Sequence, residues 1–310
     1  MITSDDTASP EGPATSCGFI AFAGAPNAGK STLLNHLVGH KVSIVTPKAQ
    51  TTRRRVIGIS MVGSTQLLFV DTPGIFADPK RALERAMVRA AWDGVDDADL
   101  VLFVLDASKG LNAQARAVLE GLGERHRRAW LVINKIDTVR GDRALPLIAE
   151  ANQILPFEET FIVSATRGDG CDDLLAALAK AMPPSAWLYP EDQLSDLSDR
   201  ALAAEITREK VFLQLQDELP YSITVETEQY LESQDGKEIR IDQVIYVLRD
   251  SQKAIVLGKG GARIKAIGQA ARQDLEKLLD ARVHLFLFVK VREWTDDPER
   301  YREMGLDTRD

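Results

Sequence analysis

From Cys17 to about Met182, short apolar runs alternate with stretches that carry apolar residues at helical spacing. The runs have the length of buried strands and end at polar or glycine-containing segments: Gly18–Ala23, Thr65–Val70, Leu100–Leu105, Ala129–Ile133 and Thr160–Val163. The helical stretches are Thr32–Leu37, Lys80–Trp92, Asn112–Arg125, Asp142–Ile154 and Cys171–Ala181. This alternation predicts an α/β domain, residues 17–182, with a mostly parallel sheet and crossover helices.

The pattern changes after Met182. Residues 183–198 start with two prolines and contain several acidic and serine residues, which predicts a linker. Beyond it, the pattern predicts a helix over 199–218, strands near 223–227 and 239–248, two helices flanking Gly258, and a strand over 283–291. This order is that of a type II KH domain, so we expect a smaller α+β domain over 199–294, followed by a tail over 295–310.

Composition narrows the function classes. The chain has 310 residues and a net charge of −8, which argues against a protein coated with positive charge for nonspecific nucleic-acid binding. Two cysteines and four scattered histidines suggest neither a disulfide framework nor a metal-ligand cluster. The first 16 residues resemble a disordered tail, not a signal peptide. No apolar run approaches the ~20 residues that span a bilayer, so we expect a soluble, cytoplasmic protein.

The loop between the first strand and the first helix matches the phosphate-binding pattern G-x-x-x-x-G-K-[ST] at every fixed position. Its residues are Gly24, Ala25, Pro26, Asn27, Ala28, Gly29, Lys30 and Ser31. Such a loop directs backbone N–H groups and the positive end of a helix dipole at a phosphate, and glycines allow close approach. We expect Lys30 to reach the β- and γ-phosphates and Ser31 to bind Mg²⁺. For this loop alone, a glycine-rich surface loop is the alternative.

Polar segments also follow later strands, at the sheet edge where ligands bind. The first consists of Asp71, Thr72, Pro73 and Gly74. Asp71 can hold Mg²⁺ directly or through water, and Gly74 can offer its N–H to the γ-phosphate. Taken alone, this segment could equally be a turn that leads into a helix.

Two further segments predict selectivity for guanine. The first is Asn134, Lys135, Ile136 and Asp137, and the second is Ser164 and Ala165. The Asp137 carboxylate can accept two hydrogen bonds from guanine, a pair that adenine does not present. Lys135 can cover one face of the base, Asn134 can tie this loop to the phosphate loop, and the Ala165 N–H can reach the guanine 6-oxygen. A solvated polar loop is the alternative, but the order of all the motifs predicts a GTPase.

The chain resembles the Era family of bacterial ribosome-assembly GTPases over about Gly18–Lys290. The resemblance rests on Pro26-Asn27, on Lys48-Ala49-Gln50-Thr51-Thr52-Arg53 and on Asp71-Thr72-Pro73-Gly74. It implies that 48–53 belong to the first switch loop and that Thr51 or Thr52 completes the Mg²⁺ shell when GTP is bound. The choice between these two threonines stays open. Lys30, Thr51, Thr52 and Gly74 are the residues expected to act on the reaction.

Hydrolysis itself is expected to be slow. Ras-like enzymes orient the attacking water with a glutamine just after the Asp-x-x-Gly motif, whereas this chain has Ile75 there. Isoleucine has no hydrogen-bonding group, so another group must place the water, and no residue identifies itself as that group. The resemblance also implies that Asn27 can coordinate K⁺ near the phosphates.

The joint between the two helices of the second domain is the G-x-x-G loop Gly258, Lys259, Gly260 and Gly261, a type that clamps a single-stranded nucleic-acid backbone. Residues 251–273 contain no acidic residue but five basic ones, including Arg263 and Lys265. In an acidic chain this imbalance predicts a confined RNA site. A glycine-rich helix break with a solvated basic face is the alternative. The loop also matches the Era pattern.

The resemblance therefore implies a GTP-hydrolysing switch, using GTP/GDP and Mg²⁺, that binds the 3′ end of 16S ribosomal RNA and assists maturation of the small ribosomal subunit. It further implies a monomer, and it leaves open a peripheral contact with the inner membrane. Two alternatives remain: a tRNA-modification GTPase, which should need further catalytic domains, and an RNA-binding protein whose nucleotide domain only senses nucleotide. A P-loop kinase is disfavoured by Asn134–Asp137.

Overall fold

The computed structural model describes residues 15–48, 51–75, 79, 82–215, 222–294 and 306. The first domain contains a six-stranded sheet in the order β2-β3-β1-β4-β5-β6. Its strands are β1 Ser16–Ala23, β2 Val56–Val62, β3 Thr65–Asp71, β4 Leu100–Asp106, β5 Ala129–Asn134 and β6 Thr160–Ile162. Its helices are α1 Lys30–Val38, α2 Ala82–Asp96, α3 Ala113–Glu124, α4 Ala144–Ile154 and α5 Cys171–Ala181. The predicted α/β class with a mostly parallel sheet is confirmed.

Helices cover both faces of this sheet. Helices α1 and α5 pack on one face, where Leu33, Leu174 and Phe69 share a core cluster. Helices α2, α3 and α4 pack on the other, where Val95 and Leu119 share a second cluster. Because β3, β4 and β5 are buried along their whole length, they read as continuous apolar runs. Their carboxyl ends all reach one edge, which is where the polar segments emerge.

The edge strand β2 was missing from the prediction. It pairs antiparallel with β3, whereas β1 pairs parallel with both β3 and β4. The predicted linker, 183–198, runs along this edge: the Ile59 N–H donates to the Leu194 carbonyl (2.9 Å) and the Asp196 N–H to the Ile57 carbonyl (3.1 Å). The segment before α6 is therefore held on the first sheet by backbone hydrogen bonds.

The second domain follows the predicted order of helix, strand, strand, helix, helix, strand. Its elements are α6 Asp199–Gln214, β7 Thr224–Glu232, β8 Glu238–Val247, α7 Asp250–Leu257, α8 Ala262–Leu279 and β9 Arg282–Val291. Strand β8 lies in the middle, antiparallel to β7 and parallel to β9. Residues of all three helices share a core with the sheet, including Val211, Val256 and Ile267. Strand β9 is thus left as an edge beside α8.

Several predicted boundaries shift. The second predicted helix, Lys80–Trp92, is described from Ala82 and runs to Asp96, and Lys80 and Arg81 lie outside the described residues. Helix α6 ends at Gln214, and 216–221 are likewise outside. Most of the two predicted tails is also outside. Ser16, assigned to the first tail, begins β1, and Leu306 is buried against α2. Among the described helices, none combines the length and the apolar character that crossing a bilayer requires.

Candidate functional site

The loop between β1 and α1 has a backbone shape that only glycine permits at two positions. Gly24 has φ 147°, and a Cβ there would lie 2.4 Å from the Val104 carbonyl oxygen. Gly29 has φ 98°, and a Cβ there would lie 2.2 Å from Asn134 Nδ2. Both glycines therefore let the loop approach neighbouring strands closely. The loop borders a cavity of about 240 Å³ that Lys30 and other residues of 26–32, 44–52 and 72–74 line.

The side chain of Lys30 turns back over this loop. Its Nζ donates to the carbonyls of Gly24 (3.0 Å) and Ala25 (3.1 Å). The residue is 7% exposed, and burial lowers the pKa of its ammonium to about 8. The positive charge of Lys30 is thus removed from water, which is unfavourable, and the negative charge of a bound phosphate group could offset that free energy.

Asp71, at the end of β3, accepts hydrogen bonds from three hydroxyls at one carboxylate oxygen. The donors to Oδ2 are Ser43 Oγ (2.6 Å), Ser31 Oγ (2.7 Å) and Thr52 Oγ1 (3.3 Å). Burial raises the pKa of this carboxyl, although the bonds from Ser43 and Ser31 oppose the shift. Its other oxygen, Oδ1, is buried and has no hydrogen-bond partner among the described residues. A carboxylate and hydroxyls with an unpartnered oxygen form a donor set that suits Mg²⁺.

The structure distinguishes the two switch threonines. Thr52 Oγ1 lies 3.2 Å from Ser31 Oγ and is within reach of Asp71. Thr51 Oγ1 instead contacts Thr46 Oγ1 (2.5 Å) and donates to the Lys48 carbonyl (2.7 Å). Only Thr52 therefore shares the hydroxyl and carboxylate cluster. The two adjacent hydroxyls thus have different partners in the same loop.

The segment after Asp71 ends with Gly74 and Ile75, which take different positions. A Cβ on Gly74 would lie 3.4 Å from Pro26 Cγ and 3.7 Å from Lys30 Nζ, so Gly74 borders the phosphate loop. Ile75 is 6% exposed and belongs to the core cluster under α2 and α3. It therefore packs into the protein and presents no group to the cavity. The hydroxyl of Thr72 points to the Phe22 carbonyl (3.4 Å).

Asn134 and Lys135 tie the base-side loop to the phosphate loop. Asn134 Nδ2 donates to the Ala28 carbonyl (3.0 Å), as expected. Lys135 has φ 63°, and its Nζ donates both to the Asn27 carbonyl (2.7 Å) and to Asp106 Oδ2 (2.7 Å). Two neighbouring side chains thus bridge the ends of β1 and β5. The Asn27 amide donates to the Pro47 carbonyl (2.9 Å), which leaves its oxygen as the atom available to a cation.

The expected guanine-binding residues are brought together after β5 and β6. Asp137 lies in a short 3₁₀ helix, Ile136–Thr138, and its Oδ1 accepts a hydrogen bond from Ser164 Oγ (2.7 Å). The Ala165 N–H differs from expectation, because it donates to Asn134 Oδ1 (3.1 Å). A bond to the guanine 6-oxygen would require this N–H to be shared.

Sequence reasoning missed two residues of the site. Asp106 ends β4 and is 4% exposed; it accepts hydrogen bonds from Lys135 and from the Ser108 N–H (2.9 Å) and hydroxyl (2.6 Å). Its position at a strand end was a signal of the same kind that identified Asp71. Ser43, the donor to Asp71, lies in a loop with no motif. Asn35 holds that loop by accepting from the Ser43 N–H (2.9 Å).

The second site lies between α7 and α8. Gly258 has φ 71°, and a Cβ there would lie 2.8 Å from Arg263 Cβ, so this position excludes a side chain. Lys259 and Gly260 are exposed, and a Cβ on Gly260 would have nothing within 4 Å. Arg263 differs from the expectation of a free cation, because its Nη1 donates to the Ile255 carbonyl (2.6 Å). Part of its guanidinium therefore holds the turn.

A groove of about 380 Å³ continues from this turn between α8 and β9. Its cations are Lys265 and Arg272, both exposed, and Gly268 lets the two walls approach. Its apolar wall includes Phe286, which is 46% exposed. Sequence reasoning identified Lys265 but missed Phe286, because an alternating strand does not reveal which face will border a groove.

Together, the two domains define the class of the protein. The first combines a P-loop, a Mg²⁺-type donor cluster and a guanine-type loop, and the second carries a G-x-x-G turn beside a basic groove. This is a P-loop GTPase with a KH domain. Accordingly, a family model described as "50S ribosome-binding GTPase" matches residues 19–135, and a "KH domain" model matches residues 218–295.

Known relatives match almost the whole chain. The GTPase Era of Rhizobium meliloti (strain 1021) is 57% identical over 98% of this chain and 97% of its own length. The GTPase Era of Mesorhizobium japonicum is 58% identical over 97% of both chains. This chain therefore belongs to the Era family of GTPases. Matches over nearly the full length of these relatives do not favour a tRNA-modification GTPase.

Two solved structures share the fold of both domains, each with a TM-score of 0.87, 39% identity and coverage of 94% of this chain and 99% of theirs. One is a crystal structure of Era in complex with MgGDPNP and nucleotides 1506–1542 of 16S ribosomal RNA. The other is a variant of Aquifex aeolicus Era bound to GDP and AlF4⁻. The predicted fold class and family are thus confirmed.

Proposed function

We propose that this GTPase binds the 3′ end of 16S ribosomal RNA and assists maturation of the small ribosomal subunit, with GTP hydrolysis as its switch. One observation carries the proposal: a guanine-nucleotide site and a G-x-x-G groove occur in a single chain. That arrangement is similar, over 94% of this chain, to the Era that was crystallised with MgGDPNP and the 16S ribosomal RNA 3′ end. We place this work in the cytoplasm, where ribosomal subunits are assembled, with contact to the inner membrane as a peripheral addition.

For the nucleotide, we assign the phosphates to the N–H groups of the 24–31 loop, to Lys30 and to the Gly74 N–H. The hydroxyls of Ser31 and Thr52 and the carboxylate of Asp71 are the donors for Mg²⁺, since they already cluster within 3.3 Å of one another's oxygens. When bound, Mg²⁺ neutralises charge on the β- and γ-phosphate oxygens. Thr51 is left out of this donor set, because its hydroxyl contacts Thr46 and Lys48.

For the base, we assign guanine selectivity to Asp137, whose carboxylate stands between the 3₁₀ turn and Ser164. Asn134 and Lys135 hold this loop against the phosphate loop, so base and phosphates are bound at a fixed separation. Preorganising these groups lowers the entropy lost on binding. Such a site should discriminate strongly, because a base without the matching donors leaves a carboxylate unpaired.

At the position where Ras-like enzymes have a water-orienting glutamine, this site has an isoleucine. Ile75 is buried, so slow intrinsic turnover follows unless another group supplies the function. We propose that K⁺ bound at the Asn27 side-chain oxygen adds positive charge near the phosphates and stabilises charge developing in the transition state.

For RNA, we assign the backbone to the turn at Gly258–Gly261 and the bases to the groove between α8 and β9. A turn with exposed N–H groups can approach a phosphate, and Lys259 and Lys265 add charge. The exposed ring of Phe286 can stack on a base. Because this groove lies at the β9 edge, RNA binding needs no residue of the nucleotide cavity.

The test compares RNA binding with GTP hydrolysis in two variants. Gly261→Asp puts negative charge where the turn meets phosphate and should abolish RNA binding, while hydrolysis without RNA stays within about twofold of wild type. A Cβ at this site would meet only Ile264 Cγ2 at 4.0 Å, but Gly261 has φ 78°, so the aspartate carries backbone strain and thermal unfolding must show that the variant is folded. Lys259→Ala should weaken binding more gently and reduce the salt slope by about one unit or less.

Filter binding across a salt series, with an RNA that carries the 16S 3′ end, gives the affinities. A matched RNA with a scrambled end is the control for sequence. Full affinity in a folded Gly261→Asp variant would remove the turn from the site. Phosphate release limited to a single turnover in the wild type would instead favour a protein that only senses nucleotide.

A further inference from the structure

The loop that connects α1 to β2 lies against helix α6 of the second domain. At its start, Lys41 pairs with Glu209 (2.5 Å) and Asp274 (3.3 Å). The Val45 N–H donates to Glu209 Oε1 (3.0 Å), and near the end of the loop the Thr51 carbonyl accepts from Arg208 Nη2 (2.7 Å). Two adjacent residues of α6 thus hold the backbone of the switch loop on either side of residues 46–50.

Arg208 is itself fixed in place. It is 2% exposed, its Nε donates to Glu205 Oε1 (3.0 Å), and its Nη2 pairs with the other oxygen of that carboxylate. Its guanidinium carbon lies 5.2 Å from the centre of the Phe212 ring. A guanidinium held by a carboxylate fork and an aromatic face has one orientation, so the bond to Thr51 is directed and not incidental.

That bond acts on the next residue. The Thr51 carbonyl and the Thr52 N–H belong to one planar peptide unit. A hydrogen bond that fixes the carbonyl therefore also fixes the orientation of the Thr52 N–H and Cα. The Thr52 hydroxyl lies 3.2 Å from Ser31 Oγ and 3.3 Å from Asp71 Oδ2, where small rotations would separate these oxygens. A side chain from the second domain thus bonds to the peptide unit directly before Thr52.

We propose that Arg208 is a positioning residue for the Mg²⁺ site of the GTP state: it orients Thr52 from the KH domain, so the nucleotide site is complete only when α6 is docked on the switch loop. This inference rests on the assignment of Thr52 as a Mg²⁺ ligand under Proposed function. It follows from linkage that stronger Mg²⁺·GTP binding favours the docked arrangement of the domains.

The test measures dissociation of a fluorescent, nonhydrolysable GTP analogue across a Mg²⁺ series, so that no step depends on turnover. Arg208→Gln should raise the Mg²⁺ concentration needed for half-maximal retention by about tenfold, as expected when a partner that orients a metal ligand is lost. Excess Mg²⁺ should restore slow dissociation. Arg208→Lys keeps one donor and should fall between. Dissociation of fluorescent GDP should change less than about twofold, because the switch threonine serves the GTP state.

Arg200→Gln is the matched control. Arg200 lies on the same helix and donates to the Thr227 (2.8 Å) and Glu228 (3.0 Å) carbonyls of its own domain, and it forms no hydrogen bond or ion pair with the loop among the described residues. It should leave the Mg²⁺ dependence unchanged. Thermal unfolding identifies any variant that is not folded. If Arg208→Gln is unfolded, Glu205→Gln, which frees the guanidinium from its fork, should shift the Mg²⁺ dependence in the same direction.

Thr52→Ala tests the assignment of Thr52 as a Mg²⁺ ligand separately from the positioning role of Arg208. If Thr52→Ala raises the Mg²⁺ requirement but folded Arg208 variants match wild type, the positioning role is wrong and the ligand assignment stands. If Thr52→Ala itself has no effect, the ligand assignment fails, and the inference fails with it. A defect in Arg208→Gln that excess Mg²⁺ does not restore, or that is equal for GDP, would show only structural damage and overturn the positioning role.

Discussion

Replacing Asp106 by asparagine tests how the two loops of the nucleotide site are held together. The Asp106 carboxylate is buried at the end of β4, and one oxygen accepts from Lys135 Nζ at 2.7 Å while the other accepts from Ser108. Asparagine keeps the size of the side chain but removes the charge, and its single oxygen cannot accept from Lys135 and from the Ser108 N–H on the other side at once. The variant therefore replaces the charged bond from Lys135 by a neutral bond or none, and the Asn27 carbonyl (2.7 Å) is the one acceptor of Lys135 among the described residues that stays unchanged.

The expected cost follows from this one bond. A hydrogen bond between charged groups contributes about 1.5–3 kcal/mol, and an exposed partner reduces that value. The Lys135 side chain is 33% exposed and that of Asp106 is 5% exposed, so we take about 1–2 kcal/mol as the loss. This corresponds to about 5- to 30-fold in affinity, and we expect it for GDP and GTP alike, because we assign Lys135 to the base and not to the γ-phosphate.

The assay is displacement of fluorescent GDP, read as a dissociation rate, with Asp142→Asn as the control. Asp142 is an exposed carboxylate shortly after the same loop, so its loss of charge should change the rate less than twofold. Equal dissociation rates in wild type and folded Asp106→Asn would refute the proposed role. So would a loss confined to GTP, since that would place the effect at the γ-phosphate.

The pH dependence of this effect has a defined sign. Burial alone would raise the pKa of Asp106, but hydrogen bonds from Lys135 and Ser108 outweigh it and lower the pKa. The carboxylate contribution is therefore fully present above the unfolded value of about 3.9 and is lost only as pH falls through the lower folded value. The ratio of variant to wild-type rates should be constant from about pH 5.5 to 8. A ratio that falls across this window would contradict the charged bond.

Three further predictions concern other parts of the two sites. Asp137→Asn should weaken GTP by several kcal/mol and admit xanthosine triphosphate, whose 2-oxo group accepts where guanine donates; unchanged GTP preference in a competition assay would remove Asp137 from the site. Hydrolysis should be faster in K⁺ than in Na⁺ at matched ionic strength, and Asn27→Ala should abolish the difference; equal wild-type rates would refute the cation site. Phe286→Ala should cost about 1–3 kcal/mol of RNA binding, whereas Phe288→Ala, exposed but outside the groove, should cost little; equal losses by filter binding would argue against base stacking.

Much of the nucleotide site could be predicted from sequence because each motif is contiguous. The 24–31 loop, the 71–74 segment and the 134–137 segment carry their chemistry on neighbouring residues, and the buried parallel strands before them read as unbroken apolar runs. Since such strands deliver their carboxyl ends to one edge, sequence also indicated that the motifs would meet. The G-x-x-G turn was visible for the same reason, together with the local excess of basic residues.

The edge strand β2 shows where pattern reasoning failed. It contains Gly58 and Ser60, pairs antiparallel and lies at the margin of the sheet, so it lacks the unbroken apolar run that marks the central strands. Its partner on the outer side is the 183–198 segment, whose proline-rich composition predicts a linker and conceals its backbone pairing with β2. Neither the β2 strand nor its pairing with the 183–198 segment can be recognised from a few neighbouring residues.

Only the tertiary structure decided which side chains act together across the chain. Ser43 bonds to Asp71 from 28 residues away, Asp106 to Lys135 from 29, and Arg208 to the Thr51 carbonyl from 157. These contacts depend on how the helices pack on the sheet and how one domain packs on the other. The burial of apolar surface drives this packing, and no periodic pattern in the sequence shows which distant residues it brings together. The same packing distinguishes Thr52 from Thr51. The two residues are adjacent and identical in sequence, so only their contacts in the folded chain show which hydroxyl lies beside Ser31 and Asp71.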